Sequence, residues 1–181
     1  MKKVKSKFSG EDLEKIKHAF DIAQEAHKGH KRRNGDDYLS HPLAVAEILL
    51  KMNADAHTIC GGILHDTVED TQLGLTEIKQ KFSKDIYNLV RVLTNFQVFS
   101  DRDMNKANYY AKLKEAGKKD TRVLLIKLAD RLHNSRTMQG MPLEKKKRVF
   151  QENKEFFTPL AQSLGFLKIA KELEKISKYS K

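Results

Sequence analysis

A chain of 181 residues, 39% apolar and 33% charged, has material for one hydrophobic core and is expected to form a single domain over residues 1–181. This composition excludes a membrane protein and, with regular apolar spacing along most of the length, argues against general disorder; the one cysteine, Cys60, excludes an internal disulfide, and no signal-peptide pattern opens the chain, so the expected compartment is the cytoplasm. Lys and Arg number 35 against 24 Asp and Glu, and the net charge of +11 points to an anionic partner: nucleic acid, nucleotide or acidic surface.

Apolar residues recur at helical spacing along most of the chain and no alternating pattern competes, which predicts an all-α bundle. Ser9 with Asp12 opens a first helix whose inner stripe is Leu13, Ile16, Phe20, Ala23 and His27. From Lys28 to Tyr38, basic residues, Asn34, Gly35 and two aspartates follow one another without periodicity, the pattern of a loop. Pro42 suits the first turn of a second helix, with Val45, Ile48 and Leu49 inside. A third helix is predicted from about Asp55 to Val68, where Gly61 and Gly62 lower the propensity and permit close backbone approach.

Thr76 and Ser83 read as caps of the next two helices, the second carrying Ile86, Leu89, Val90 and Leu93. Met104 to Ala116 reads as helical, ending at Gly117. Asp120 caps a helix in which Val123, Leu124, Leu125, Ile126, Leu128, Ala129 and Leu132 point in nearly every direction, the mark of a buried helix. Pro142 begins another, Pro159 interrupts or restarts it, and Phe166 to Tyr179 supplies the last. The lysine-rich runs near residues 2–7 and 145–148 read as solvated faces.

Chemistry concentrates in the segment ILHDTVEDT. On a continuous helix His65 lies over Glu69 and Asp66 over Asp70, so an imidazole and carboxylates share adjoining strips beside Ile63, Leu64 and Val68. Partial burial makes unpaired carboxylates costly, and a cation resolves the conflict; the alternative is an acidic helix end with a solvated histidine. Asp130 stands in the apolar helix after Leu128 and Ala129, and is either a member of a site or the partner of Lys127, Arg131, His133 or Arg136. Asn134 and Thr137 extend a polar stripe from it. His41, before Pro42, is expected outside helical geometry at the mouth of the second helix. Together His41, His65, Asp66 and Asp130 offer two imidazoles and two carboxylates, a sensible set for a divalent metal. His18, His27, His30, His57 and His133 read as satisfied or exposed, and Cys60 as a packing residue.

At these residues the sequence resembles the HD phosphohydrolase superfamily, and more narrowly the hydrolase domain of Rel/SpoT-type enzymes that degrade the alarmone (p)ppGpp. The blocks carrying the resemblance are AHKGHKRRNGDDYLSHP, HDTVEDT, KLADRLHNSRT and TPLAQSLGFLKIAKELE, in this order. Because the chain stops where bifunctional members begin their synthetase domain, it resembles the single-domain small alarmone hydrolases, unless it is an excised hydrolase domain. The resemblance implies a compact helical bundle of the HD type in which His41, His65, Asp66 and Asp130 bind Mn²⁺ and Glu69 and Asp70 are catalytic. Arg32, Arg33, Tyr38, Asn134 and Thr137 match nucleotide-contacting positions, although Arg33 stands where lysine is common and Asp37 where proline is usual. The implied reaction removes the 3′-diphosphate of ppGpp as pyrophosphate, leaving GDP. Rival readings are another HD nucleotide hydrolase (a nucleotidase, a phosphodiesterase or an NADPH 2′-phosphatase) and a basic helical module that binds nucleic acid, which predicts tight, salt-sensitive binding insensitive to His65 or Asp66 mutation; the intact acidic box favours an active enzyme over a dead regulatory domain.

Overall fold

The computed structural model describes residue 4 and residues 6–32, 35, 37–100 and 106–178, with side chains described throughout except at 95–100. Among them every regular element is a helix, and strand-like pairing is confined to one isolated bridge between Lys31 and Asp37. The all-α expectation holds. The helices are α1 (Gly10–Ala26), α2 (Ser40–Lys51), α3 (Ala56–Leu64), α4 (Thr67–Asp70), α5 (Leu75–Lys81), α6 (Lys84–Ser100), α7 (Lys106–Lys119), α8 (Thr121–Arg136), α9 (Leu143–Glu152), α10 (Thr158–Ser163) and α11 (Leu167–Lys178), with a π-helical turn, Asn153–Phe157, between α9 and α10. None of the described helices is long and apolar enough to cross a membrane. The residues group into two compact units, Met1–Ile126 and Lys127–Lys181.

In the first unit α3 is buried at every position but His57 and packs against α1, α2 and α6. Its two glycines make that crowding possible: a methyl group at Gly62 would lie 2.4 Å from Leu49 Cδ1, and one at Gly61 3.0 Å from Ile126 Cδ1. Ile16, Leu49, Ile59, Leu64, Ile86 and Leu89 close the core around it, all almost fully buried. Each such side chain contributes about 1.5–3 kcal/mol relative to remaining exposed.

Helix starts follow local chemistry. Asp55 caps α3 by accepting the Thr58 N–H at 2.7 Å, and Ser83 Oγ accepts the Ile86 N–H at 3.4 Å. Asp120 accepts the Arg122 N–H at 3.0 Å, and the Arg122 guanidinium holds both Asp120 and, at 2.9 Å, Asp85, tying the start of α8 to that of α6. Two expected caps differ. Ser9 precedes α1 without a side-chain cap bond, and α5 starts after Gly74, whose N–H is taken by Glu77 at 3.0 Å, so Thr76 lies inside the helix. The glutamate reaching back satisfies an orphan N–H that a threonine two residues along does not.

α7 also runs past its expected stop at Gly117 to Lys119, while its expected start at Met104 lies outside the described residues. Gly117 is needed for space, not for termination: a Cβ there would fall 2.4 Å from Leu124 Cγ and 2.8 Å or less from both its methyls. Helix propensity favours alanine over glycine by about 1 kcal/mol, and overpacking a buried site costs about 1–3 kcal/mol. Because the clash reaches the branch carbon of Leu124, Gly117→Ala is expected to lower stability by about 1–2 kcal/mol, read as an earlier urea midpoint with unchanged slope.

The second unit is built on buried polar ties as well as apolar contact. Asn153, fully buried in the π turn, donates to Ser135 Oγ at 3.0 Å. Arg131 donates to Glu152 at 2.6 Å with its guanidinium 4.4 Å above the Phe157 ring, and Arg136 makes a forked pair with Glu172 at 2.6 and 2.8 Å. Pro159 falls in the first turn of α10, where its missing N–H costs nothing, so the chain restarts a helix there.

Candidate functional site

The chain interrupts its third predicted helix at His65 and Asp66. α3 ends at Leu64, these two residues form a turn with Asp66 at φ −100°, ψ −8°, and α4 resumes at Thr67. The expected unbroken helix to Val68, with its two columns of side chains, is therefore corrected. In a straight helix adjacent residues do not face each other. Opened at this point, Asp66 turns back on its neighbour: Oδ1 lies 3.0 Å from His65 Nε2 and Oδ2 3.4 Å from His41 Nε2. His41 reaches the same point from the first turn of α2, not from outside it. The bias against helical geometry before proline is overridden by burial of both His41 and Pro42.

These three side chains form one group. The Nε2 atoms of His41 and His65 are 3.3 Å apart, and with an Asp66 oxygen all three donors lie within 4.8 Å of one another. All are buried, at 2%, 1% and 7% exposure. His65 Nδ1 lies 2.8 Å from the Gly62 carbonyl; donating there, it leaves Nε2 as a lone pair facing the cluster, the arrangement that prepares an imidazole for a metal. Burial pushes the Asp66 carboxyl up, and the imidazoles of His65 and His41 more than offset this, holding it well below the usual carboxylate range. An ionised carboxylate and facing nitrogens, all buried, fit one divalent cation with mixed N and O donors.

The acidic end of α4 borders this group. Asp70 is exposed and accepts a hydrogen bond from the Tyr38 hydroxyl, while Glu69 is half-buried. Burial, the Asp66 charge and the bond to Asp70 all raise the Tyr38 pKa, so the phenol stays protonated and donates. Tyr38 is placed by the loop before α2: its N–H bonds the His30 carbonyl at 3.2 Å, and Lys31 pairs with Asp37 across the loop. Asp37 accepts the Leu39 N–H at 3.0 Å, a turn-closing bond that proline at this position does not make. Arg32 is half-buried in the same loop, and Arg33 lies outside the described residues.

Asp130, Asn134 and Thr137 belong to the second unit. Asn134 donates to Asp130 at 2.6 Å, and Thr137 Oγ1 donates to the His133 carbonyl at 3.0 Å. Arg131 and Arg136, weighed above as partners of Asp130, are engaged by Glu152 and Glu172. Cys60 is buried, with its thiol pushed up to about 12 by desolvation, consistent with a packing role.

One residue departs from its sequence reading. His27, expected to be satisfied or exposed, is 2% exposed and neither ring nitrogen has a hydrogen-bond partner among the described residues. Its ring stacks on Tyr38, with centroids 4.3 Å apart and planes 17° from parallel. The signal was its position on the apolar stripe of α1, four residues after Ala23, which is itself buried.

A family model described as HD domain matches residues 19–167. A "GTP pyrophosphokinase" of Streptomyces coelicolor is 41% identical over 165 residues, covering 91% of this chain and 20% of that protein. The "Bifunctional (p)ppGpp synthase/hydrolase SpoT" of Escherichia coli K12 is 36% identical over 168 residues, covering 92% and 24%. The chain thus spans about a fifth to a quarter of the length of the curated relatives it matches. A solved structure described as "A metazoan ortholog of SpoT hydrolyzes ppGpp and plays a role in starvation responses" aligns with TM-score 0.73 at 24% identity, over 94% of this chain and 96% of that one, a likeness of fold.

Proposed function

We propose that this chain, which belongs to the HD domain family and is of the Rel/SpoT type, is a metal-dependent hydrolase that cleaves the 3′-diphosphate of guanosine tetraphosphate, releasing pyrophosphate and leaving GDP. The observation that carries the reading is the buried group of His41, His65 and Asp66 with Asp70 beside it on α4. Support for the substrate comes from the relatives named for guanosine polyphosphates. When bound, a divalent ion such as Mn²⁺ supplies Lewis-acid charge that acidifies water and polarises a phosphate oxygen.

The protein's own groups do the remaining work. His41, His65 and Asp66 would hold the ion, with the His65 tautomer set by the Gly62 carbonyl. Asp70, oriented by Tyr38, takes the proton of the attacking water as general base, and Glu69 orders that water beside it. Arg32 and Arg33 bring fixed positive charge to the polyphosphate. Asp130 as a further ligand, with Asn134 and Thr137 on the nucleotide, are proposals argued from the sequence resemblance.

The deciding experiment gives metal-stripped protein guanosine tetraphosphate with and without Mn²⁺ and separates the products by chromatography. GDP and pyrophosphate appearing only with Mn²⁺ is the expected result. Orthophosphate as the product, or turnover of other nucleotides alone, overturns the substrate assignment, and tight, salt-sensitive nucleic-acid binding without hydrolysis favours the rival module.

A further inference from the structure

Between α6 and α7, with Asp120 and Val123 at the start of α8, lies a cavity of about 670 Å³. That volume is in the range of small-molecule sites, and no member of the His41, His65 and Asp66 group lines it. Its shape follows from side-chain size. On α7, Lys112, Ala116 and Lys119 recur at helical spacing on one face, and the alanine leaves room that a larger side chain would fill. On α6, Val92 stands on the same face as Asn88, four residues before it, while Leu89 and Val123, each 1% exposed, form the floor. The interior is aliphatic.

The rim carries charge of one sign. Its acids, Glu115 and Asp120, are held by Lys118 at 2.5 Å and by Arg122 at 2.8 Å, neither of which lines the cavity. Exposed Arg91 and Lys119 therefore set the sign of the field there. No aromatic ring lines the cavity to stack on a nucleobase, so its walls suit a flexible aliphatic body better than a nucleotide. Eleven residues line it, against about 20–30 on each side of a stable protein interface, so its extent is that of a small ligand.

We propose that this cavity binds a small amphipathic anion, an acyl chain bearing a carboxylate, with the chain over Leu89, Val92 and Val123 and the head group at Arg91 and Lys119. The inference does not rest on the function proposed above, since neither the metal group nor the phosphorylated substrate enters it.

The test titrates octanoate into the isotope-labelled full chain and follows backbone amide shifts, beside 1-octanol and octyltrimethylammonium, which carry the same chain with no charge and the opposite charge. One saturable site is expected, with Kd on the order of 100 μM and the shifts concentrated at residues 88–92 and 111–123. Each exposed ion pair is worth up to about fivefold, so 1-octanol is expected to bind about 5–20-fold more weakly and the cation more weakly still. Arg91→Ala combined with Lys119→Ala is expected to cost octanoate that same factor and to remove its advantage over 1-octanol. Ala116→Phe, which puts a ring into the cavity, is expected to weaken octanoate at least about tenfold; if its melting curve shows that it does not fold, Ala116→Leu takes its place. Lys145→Ala combined with Lys147→Ala removes equal charge from α9 and is expected to change nothing. Octanoate binding that survives a folded Ala116 variant, equal affinity for all three probes, or no saturable site overturns the proposal. Equal losses from the α6–α7 and α9 pairs overturn it as well, because the net charge of the chain is then the attraction. So does a dimer that Ala116→Phe dissolves, which puts a second copy of the chain in the groove, or binding seen only with phosphatidylglycerol vesicles, which makes the ligand a membrane surface.

Discussion

Asp66→Asn is expected to abolish the response to Mn²⁺ and reduce turnover by at least about a hundredfold, a loss already reached when only an outer partner of a metal ligand is removed. The amide has the shape of the carboxylate and fits the turn after His65, so the fold is kept. It lacks the charge. In wild type the two imidazoles offset the effect of burial and keep Asp66 ionised between them, which gives the His41, His65 and Asp66 group its negative charge. A ligand at a hundred times its Kd stabilises by about 2.7 kcal/mol, so the rise in melting temperature with Mn²⁺ is large in wild type and absent in the variant. A full Mn²⁺-induced rise in Asp66→Asn contradicts the assignment, and the melting curve without metal checks that the variant is folded.

Asp70→Asn separates holding the ion from using it. The amide oxygen still accepts from the Tyr38 hydroxyl, so neither the loop nor α4 moves. What disappears is a group able to take a proton, an effect of about 10²–10⁴ in turnover for general base catalysis. Stabilisation by Mn²⁺ is expected to match wild type while kcat falls by that factor. Full turnover removes Asp70 from the chemistry, and loss of the metal response makes it part of the ion's surroundings.

Most of the helices were legible because their signals are local. Asp120 and Ser83 cap the helices they precede, and the run from Val123 to Leu132 marks a buried helix. What escaped sequence reading depends on neighbours distant in the chain. No residue between Leu64 and Thr67 is a helix breaker, so the turn at His65 and Asp66 has no sequence signature; it is decided by where the Asp66 side chain finds His41. Gly117 looked like a stop because glycine often follows a helix, and only the position of Leu124 shows that it is there for space. Tyr38 matched a nucleotide-contacting position, and the fold adds its bond to Asp70.

The sequence by itself determined the helical class, the likeness to HD hydrolases and which residue types the chemistry requires, since periodicity, caps and motif order are properties of short segments. Which donors face one another was left to tertiary structure: His41 and His65 are 24 positions apart yet their nitrogens lie 3.3 Å apart. The same holds for His27. Its place on an apolar stripe was visible, but whether a buried imidazole finds a partner depends on every element packed around it, and only the folded chain shows that neither nitrogen has one among the described residues.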